Sequence, residues 1–184
     1  MNTYLPITIL NYLILMQKYV STKDETRPAL QGLKLEVTDD TLKAVATDGH
    51  IMLIREFFIT VDMASSLVLF NEQVIKFHDT KKIKPNDKRE FSELFHTVNR
   101  EYPNYKAVIP KTPTDCDKNE YFAINPMQLY RLAKALGSTD KEPVIFDFYG
   151  VKSRACIEIK TKELAPNIKN TILIMPVVTA RMKK

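Results

Sequence analysis

The sequence contains two copies of one order of elements, a helix followed by strands, and this repeat restricts the fold more than any other feature. In the first copy, apolar residues at helical spacing over 6–19 precede two stretches of alternating apolar and polar residues, Leu33–Val37 and Leu42–Ala46. A third strand is predicted over 51–60. This order predicts antiparallel strands with a helix packed against them.

The last third of the chain repeats the order. Asn125 is a typical helix N-cap, Pro126 suits the first helical position, and Gly137 suits the C-terminal end. Between these residues, Leu129, Leu132, Ala133 and Leu136 form an apolar stripe at helical spacing. Strands are then predicted at 144–149, 155–160 and 171–175, so the fold class is α+β.

The region between the two copies predicts a strand at 67–70 and a helix at 72–82. Residues 111–119 contain two prolines and no large apolar side chain, which is typical of a linker. The chain is therefore predicted to divide into a first domain at 1–112 and a smaller second domain at 119–184.

Composition narrows the function classes. Lys and Arg number 27 against 22 Asp and Glu, which gives a net charge of +5 and a pI of about 9.1. This balance fits a polyanion such as nucleic acid, although many proteins without such a partner are equally basic. With four glycines, the chain has neither a GxGxxG nor a GxxxxGK[ST] motif, so these phosphate-binding loops are excluded.

The expected location is cytoplasmic. Cys116 and Cys156 lie far apart and form no CxxC pair, so no zinc or redox motif is predicted and a reducing compartment is the simpler interpretation. The apolar run at 5–16 is too short to span a bilayer, has no basic segment before it, and is interpreted as buried core. No cofactor is predicted.

The three histidines are His50, His78 and His96. An enzyme hypothesis pairs His50 with Asp48, as in a small hydrolase, but an Asp-Gly-His sequence more often closes a hairpin. No HExxH or G-x-S-x-G motif is present, so no metal site and no catalytic residue are predicted.

The predicted helices carry basic residues on their polar faces. Such residues could follow a phosphate backbone through contacts that do not depend on base sequence, or they could simply be solvated. The predicted DNA-binding residues are Lys18, Lys76, Lys81, Lys82, Arg131 and Lys134.

Three short stretches in a fixed order carry a resemblance to a known family. The first stretch begins with Arg27-Pro-Ala-Leu-Gln-Gly32 and ends with Ala46-Thr-Asp-Gly-His50. The second is Tyr102-Pro-Asn-Tyr-Lys-Ala-Val-Ile-Pro110, and the third is Ile172-Leu-Ile-Met-Pro176. In this order they resemble the bacterial sliding clamp, the β subunit of DNA polymerase III. The chain resembles a shortened relative, with similarity to the second clamp domain and to the rear half of the third.

The resemblance implies a DNA-clamp-like fold of repeated β-α-β-β-β units, with helices on one face of antiparallel sheets. It also implies a scaffold without enzymatic activity, which encircles double-stranded DNA as a homo-oligomeric ring and binds DNA polymerase or other replication and repair proteins through short peptide motifs. An alternative is a decoy that keeps the fold without the ring and binds the partners of a host clamp.

The family's peptide pocket can be carried over to positions of this sequence. Several of these positions are apolar, as a groove for a hydrophobic peptide requires. The family usually has basic residues where this chain has Ile51 and near Ala107, so a more apolar pocket is expected here. The implied pocket residues are Leu30, Thr47, Gly49, His50, Ile51, Met52, Pro103, Ala107, Val108, Arg154, Leu173, Met175, Pro176 and Val177.

Overall fold

A computed structural model describes residues 5–78, 83, 89–109, 124–137, 147–149, 157–160 and 168–175. These residues contain three α-helices: α1 (Ile7–Tyr19), α2 (Val61–Leu67) and α3 (Pro126–Leu136). They contain eight strands: β1 (Leu33–Val37), β2 (Thr41–Thr47), β3 (Ile51–Phe58), β4 (Val74–Phe77), β5 (Phe95–Thr97), β6 (Asp147–Tyr149), β7 (Ile157–Lys160) and β8 (Ile168–Ile174). No helix among them is long and apolar enough to cross a membrane.

All eight strands form one antiparallel sheet in the order β5-β4-β1-β2-β3-β8-β7-β6. The α+β fold with helices on an antiparallel sheet is therefore confirmed. The predicted strands in both copies are present, because alternating stretches such as Leu33–Val37 present apolar side chains to one or both faces of the sheet.

The two longer helices lie where the sequence predicts them. The Asn125 side chain accepts a hydrogen bond from the Met127 N–H at 2.9 Å, which caps α3. Gly137 ends this helix with a φ of 74°, in the left-handed region that favours glycine. Helix α1 follows Pro6 and buries Leu13 and other apolar residues against the sheet.

The middle region differs from the sequence prediction. Val68–Phe70, predicted as part of a strand, continues α2 as a 3₁₀ turn. Residues predicted as the start of a helix form β4, in which Val74 and Ile75 pack on opposite faces of the sheet. A stretch of four residues is too short for its apolar spacing to distinguish a helix from a strand, and here pairing with β1 decides the outcome.

Two apolar clusters cover the two faces of the sheet. The helix-face core contains side chains of α1, α2 and α3 together with inward residues of the strands, such as Leu53 and Ile172. The opposite-face cluster lies at one end of the other face and is partly covered by residues of 98–109. Its members are Leu30, Val45, Met52, Ile54, Val74, Tyr102, Tyr105 and Leu173.

A buried arginine joins the helices to the sheet. Arg55 donates from Nε to Asn170 Oδ1 at 2.6 Å and from its two terminal nitrogens to the carbonyl oxygens of Ala135 and Leu136, both at 3.4 Å. Its guanidinium lies 4.2 Å from the centroid of the Tyr12 ring. Burial lowers the pKa of Arg55 to about 10, so it remains charged at neutral pH and complements the negative end of α3.

The described parts of the two predicted domains share this sheet. β8, from the predicted second domain, pairs with β3 over seven residue pairs, Ile51↔Ile174 to Phe57↔Ile168. Side chains of α1 and α3 also belong to the same helix-face core. The predicted linker at 111–119 lies outside the described residues, so the domain boundary remains a prediction.

Candidate functional site

The turn between β2 and β3 contains the most specific motif of the sequence. Asp48 Oδ1 accepts hydrogen bonds from the backbone N–H groups of His50 at 2.8 Å and Ile51 at 2.9 Å. Thr47 Oγ1 accepts another from the Gly49 N–H at 3.0 Å, and Gly49 has a φ of 93°. The motif therefore closes a hairpin, and its own side chains hold the turn.

The second Asp48 oxygen ties this turn to both long helices. Arg131, on α3, donates from Nη1 to Asp48 Oδ2 at 2.6 Å. The same guanidinium donates to the carbonyl oxygens of Tyr19 at 2.7 Å and Val20 at 3.3 Å, at the carboxyl end of α1. A cation at this end complements the helix dipole. Arg131 therefore connects α3, α1 and the turn.

These contacts give no support to the hydrolase hypothesis. Both Asp48 oxygens are occupied by the turn and by Arg131, and Asp48 contacts the backbone of His50. A general base must reach the group whose proton it takes. Among the residues with described placement, no three His, Cys, Asp or Glu side chains are grouped to hold a metal.

An open cleft of about 430 Å³ lies beside this connection at the carboxyl end of α1. One lining residue, Lys23, was not among the predicted DNA-binding residues. Its position five residues after Lys18, just beyond α1, is the signal that could have identified it. The lining contains three cationic side chains and one carboxylate, so positive charge is in excess. The lining residues are Lys18, Tyr19, Ser21, Thr22, Lys23, Asp48 and Arg131.

Two of the predicted DNA-binding residues lie exposed on the helix layer, which α1, α2 and α3 form on one face of the sheet. The Lys18 ammonium is 5.1 Å from the centroid of the Tyr19 ring on α1, and the Lys134 ammonium is 5.7 Å from that of Tyr130 on α3. Arg131 is less available, since Asp48 and main-chain carbonyls hold its guanidinium.

The remaining predicted basic residues are not brought to this layer. Lys76 lies on β4 between Ile75 and Phe77, which both face the helices, so Lys76 faces the other side of the sheet. Its ammonium donates to Gln31 Oε1 at 2.6 Å. Lys81 and Lys82 lie outside the described residues.

The predicted peptide-pocket residues divide into a buried and an exposed set. Leu30, Met52 and Leu173 are brought together in the opposite-face cluster, where each is less than 10% exposed. Ile51 is also buried, but in the helix-face core, because adjacent residues of a strand alternate between faces. These four side chains are therefore packed inside the protein.

The exposed set lies on three segments, the β2–β3 turn, residues 103–108 and the end of β8. Val108 is 54% exposed and Met175 is 46% exposed, and the Met175 N–H donates to the His50 carbonyl oxygen at 2.8 Å. Half-buried Thr47 and exposed Gly49, His50, Pro103 and Ala107 complete the described positions. Arg154, Pro176 and Val177 lie outside the described residues.

A charged contact holds residues 98–109, the covering segment, against the opposite face of the sheet. Tyr105 donates its hydroxyl to Glu36 Oε1 at 2.7 Å, and the Lys106 ammonium lies 3.1 Å from the same oxygen. Burial alone raises the pKa of Glu36, but the hydrogen bonds from Tyr105 and Lys106 and the charge of Lys43 outweigh it and lower that pKa. Burial and the hydrogen bond to Glu36 raise the pKa of Tyr105.

Comparison with solved structures defines the fold. The DNA polymerase III β subunit of Thermotoga maritima aligns with 98% of this chain and 66% of its own, with a TM-score of 0.60 and 14% identity. The β subunit from Borrelia burgdorferi aligns with 97% of this chain and 65% of its own, with a TM-score of 0.56 and 18% identity. This is therefore an α+β protein of the DNA-clamp fold.

Sequence comparison finds similarity to the same group of proteins. Residues 5–83 match the family described as DNA polymerase III beta subunit, central domain. The beta sliding clamp of Buchnera aphidicola subsp. Acyrthosiphon pisum is 29% identical over 136 residues, which cover 66% of this chain and 36% of that protein. The chain is thus similar in sequence to the central clamp domain over residues 5–83, and it spans about a third of the length of this curated relative.

Proposed function

We propose that this chain is a sliding-clamp-like, DNA-tracking scaffold of the cytoplasm, a processivity factor in DNA replication that has no catalytic activity of its own. The match of residues 5–83 to the central clamp domain is the observation that carries the proposal. The helices on one face of an antiparallel sheet support it, since they form a continuous layer that a duplex can approach.

The exposed side of this layer is the proposed DNA face. Lys18 and Lys134 project from the two long helices, and Lys23 adds a third cation at the end of α1. Contacts of this kind are electrostatic and independent of base sequence, so the log of the binding constant should fall with log salt by about 0.9 per phosphate contacted. A scaffold that must move along DNA needs such weak, replaceable contacts.

Encircling a duplex requires several copies of the chain. The sheet ends at β5 on one side and at β6 on the other within the described residues, and edge strands can pair between copies. The native mass in solution tests this part of the proposal. A strictly monomeric particle at high concentration would favour the decoy hypothesis, in which the chain binds the partners of a host clamp.

The proposed peptide-binding surface is the exposed rim above the opposite-face cluster. Val108 and Met175 are exposed apolar side chains on the two segments that border this cluster, 98–109 and the end of β8, and Pro103 and Ala107 are also exposed on the first of them. A short apolar motif of a polymerase or another replication or repair protein is the proposed occupant. Burial of one leucine or phenylalanine of the motif contributes roughly 1.5–3 kcal/mol, so two anchors support weak binding.

Paired charge reversals test the DNA face. The double variant Lys18→Glu with Lys134→Glu should weaken binding to a fluorescent duplex at least about tenfold at low salt and reduce the salt slope. Its control is Lys106→Glu with Lys169→Glu on the opposite face, where both lysine side chains are 61% exposed. The control changes the net charge equally and should lose much less affinity. Equal losses in the two double variants would reject the helix layer as the DNA face.

A further inference from the structure

Two histidines meet near the edge of the sheet, far along the strand order from the turn that contains His50. His96 lies in β5 opposite Lys76 of β4, and His78 follows the end of β4. The His78 N–H donates to the Leu94 carbonyl oxygen at 3.1 Å, which extends the pairing by one residue. The two histidines are therefore diagonal neighbours on one face of an antiparallel pair.

The two rings present the same nitrogen to each other. Their Nδ1 atoms are 3.4 Å apart, their centroids are 5.2 Å apart, and the ring planes differ by 32°. Both residues are exposed, so solvent ions can reach them. In the described residues, each imidazole has the other as its hydrogen-bonding neighbour.

This separation fits a shared metal ion better than a direct hydrogen bond. An N–H donor and its acceptor are usually about 2.7–3.2 Å apart, so 3.4 Å is long for such a bond. Two imidazole nitrogens on one tetrahedral zinc, each at about 2.0–2.1 Å, are separated by about 3.3–3.4 Å. The observed spacing is the distance that one ion would impose on two ligands.

A lysine lies beside the pair on the same face of the sheet. Lys76 is paired with His96 in the ladder, and its ammonium donates to Gln31 Oε1 at 2.6 Å, so this charged group already has a hydrogen-bond partner. No group of three or more His, Cys, Asp or Glu ligands exists among the described residues. Within the described residues the two imidazoles are the ligands, and water completes the coordination as in an open metal site.

We propose that His78 and His96 form a two-histidine binding site for a late first-row divalent cation, with Zn²⁺ as the reference ion. Neutral imidazole nitrogen is a preferred ligand of Zn²⁺, Cu²⁺ and Ni²⁺, whereas Mg²⁺ and Ca²⁺ prefer oxygen. The ion joins the two strands β4 and β5, so its occupancy stabilises the short edge of the sheet. This site is independent of the proposed DNA and peptide surfaces.

Zinc titration of the full chain tests the site. Isothermal titration with ZnCl₂ at pH 7.5 should show a site that is abolished, or weakened at least about tenfold, in His78→Ala and in His96→Ala. The remaining histidine supplies the control: His50→Ala should bind Zn²⁺ as the unchanged protein does. The melting temperature should rise with Zn²⁺ in the unchanged protein and in His50→Ala, and should not rise with Mg²⁺.

The double variant His78→Ala with His96→Ala separates this site from thiol binding. If Cys116 or Cys156 held the Zn²⁺, the double variant would still bind it. Zn²⁺ binding by the double variant with the affinity of the unchanged protein would overturn the proposal. Absence of Zn²⁺ binding to the unchanged protein would overturn it as well. Loss in both single variants, with melting temperatures in metal-free buffer equal to that of the unchanged protein, would establish the pair as ligands.

Discussion

The two faces of the sheet are covered by different kinds of structure. On one face, three helices and the strands bury a continuous apolar core in which Leu13, Leu53 and Ile172 are fully excluded from solvent. On the other, a short segment covers a cluster of eight residues at one end, and charged side chains occupy the neighbouring positions. The first face supplies stability, while the second leaves apolar and charged groups at its surface.

The charged part of the second face is an ordered ladder. Glu36, Lys43, Glu56 and Lys169 lie opposite one another on successive strands, with acidic and basic residues alternating. Opposite charges across strands contribute modestly, about 0.2–1 kcal/mol for each pair. A substitution in the helix-face core should therefore cost much unfolding free energy. On the opposite face, the cost of a substitution should depend on how much of the side chain is covered.

Replacing leucines on the two faces tests this difference most directly. Leu53→Ala, in the helix-face core, should cost about 2–5 kcal/mol of unfolding free energy, because a fully buried side chain leaves a cavity. Leu173→Ala, in the opposite-face cluster, should lie toward the lower end of that range, since a short segment can collapse onto the gap. Urea denaturation measures both. A larger loss for Leu173→Ala would show that the smaller cluster dominates stability.

Removing the Tyr105 hydroxyl tests the contact that holds the covering segment. Tyr105→Phe should cost about 1.5–3 kcal/mol near pH 7, because the hydroxyl donates to a charged carboxylate. The pKa of Glu36 is lowered in the folded protein, so the stabilisation is complete above the ordinary Glu pKa and is lost as the pH falls through the lowered value.

The difference in unfolding free energy between the unchanged protein and Tyr105→Phe should therefore shrink as the pH falls from neutral through the ordinary Glu pKa and below it, as measured by urea denaturation. Glu36→Gln supplies the control, since its own stability should respond less to pH in that interval. A difference that stays constant over this range would mean that the ionised carboxylate does not strengthen the contact.

Local sequence signals predicted the elements whose ends or faces are fixed by neighbouring residues. Asn125 and Gly137 mark the two ends of α3 through a cap and a left-handed residue, which are local effects. The strand at Val74–Phe77 was missed because the apolar residues of so short a stretch suit a helix or a strand, and only its pairing with β1 distinguishes them. Pairing of this kind joins residues far apart in sequence.

The same limit applies to the site. The Asp48 turn was predictable from its own residues, but its ion pair with Arg131 joins positions 83 residues apart, and no sequence pattern identifies it. Arg131 was therefore assigned to the DNA face by its helical position alone. Ile51 was assigned to the pocket by resemblance, yet the strand alternation that separates it from Met52 places it in the other core.

Met175 should give the smallest effect on stability and the clearest effect on binding. Its side chain is 46% exposed at the end of β8, so Met175→Ala should change the unfolding free energy by about 0.5 kcal/mol or less. A fluorescent peptide with two apolar anchors that binds the unchanged protein should bind this variant weakly, because the thioether supplies adaptable apolar surface at the proposed rim. Met127→Ala is the matched control, since that methionine is 59% exposed on α3 and lies on the helix layer. Equal peptide affinities for the two variants would remove Met175 from the peptide-binding surface, and a loss of several kcal/mol would place it in the core.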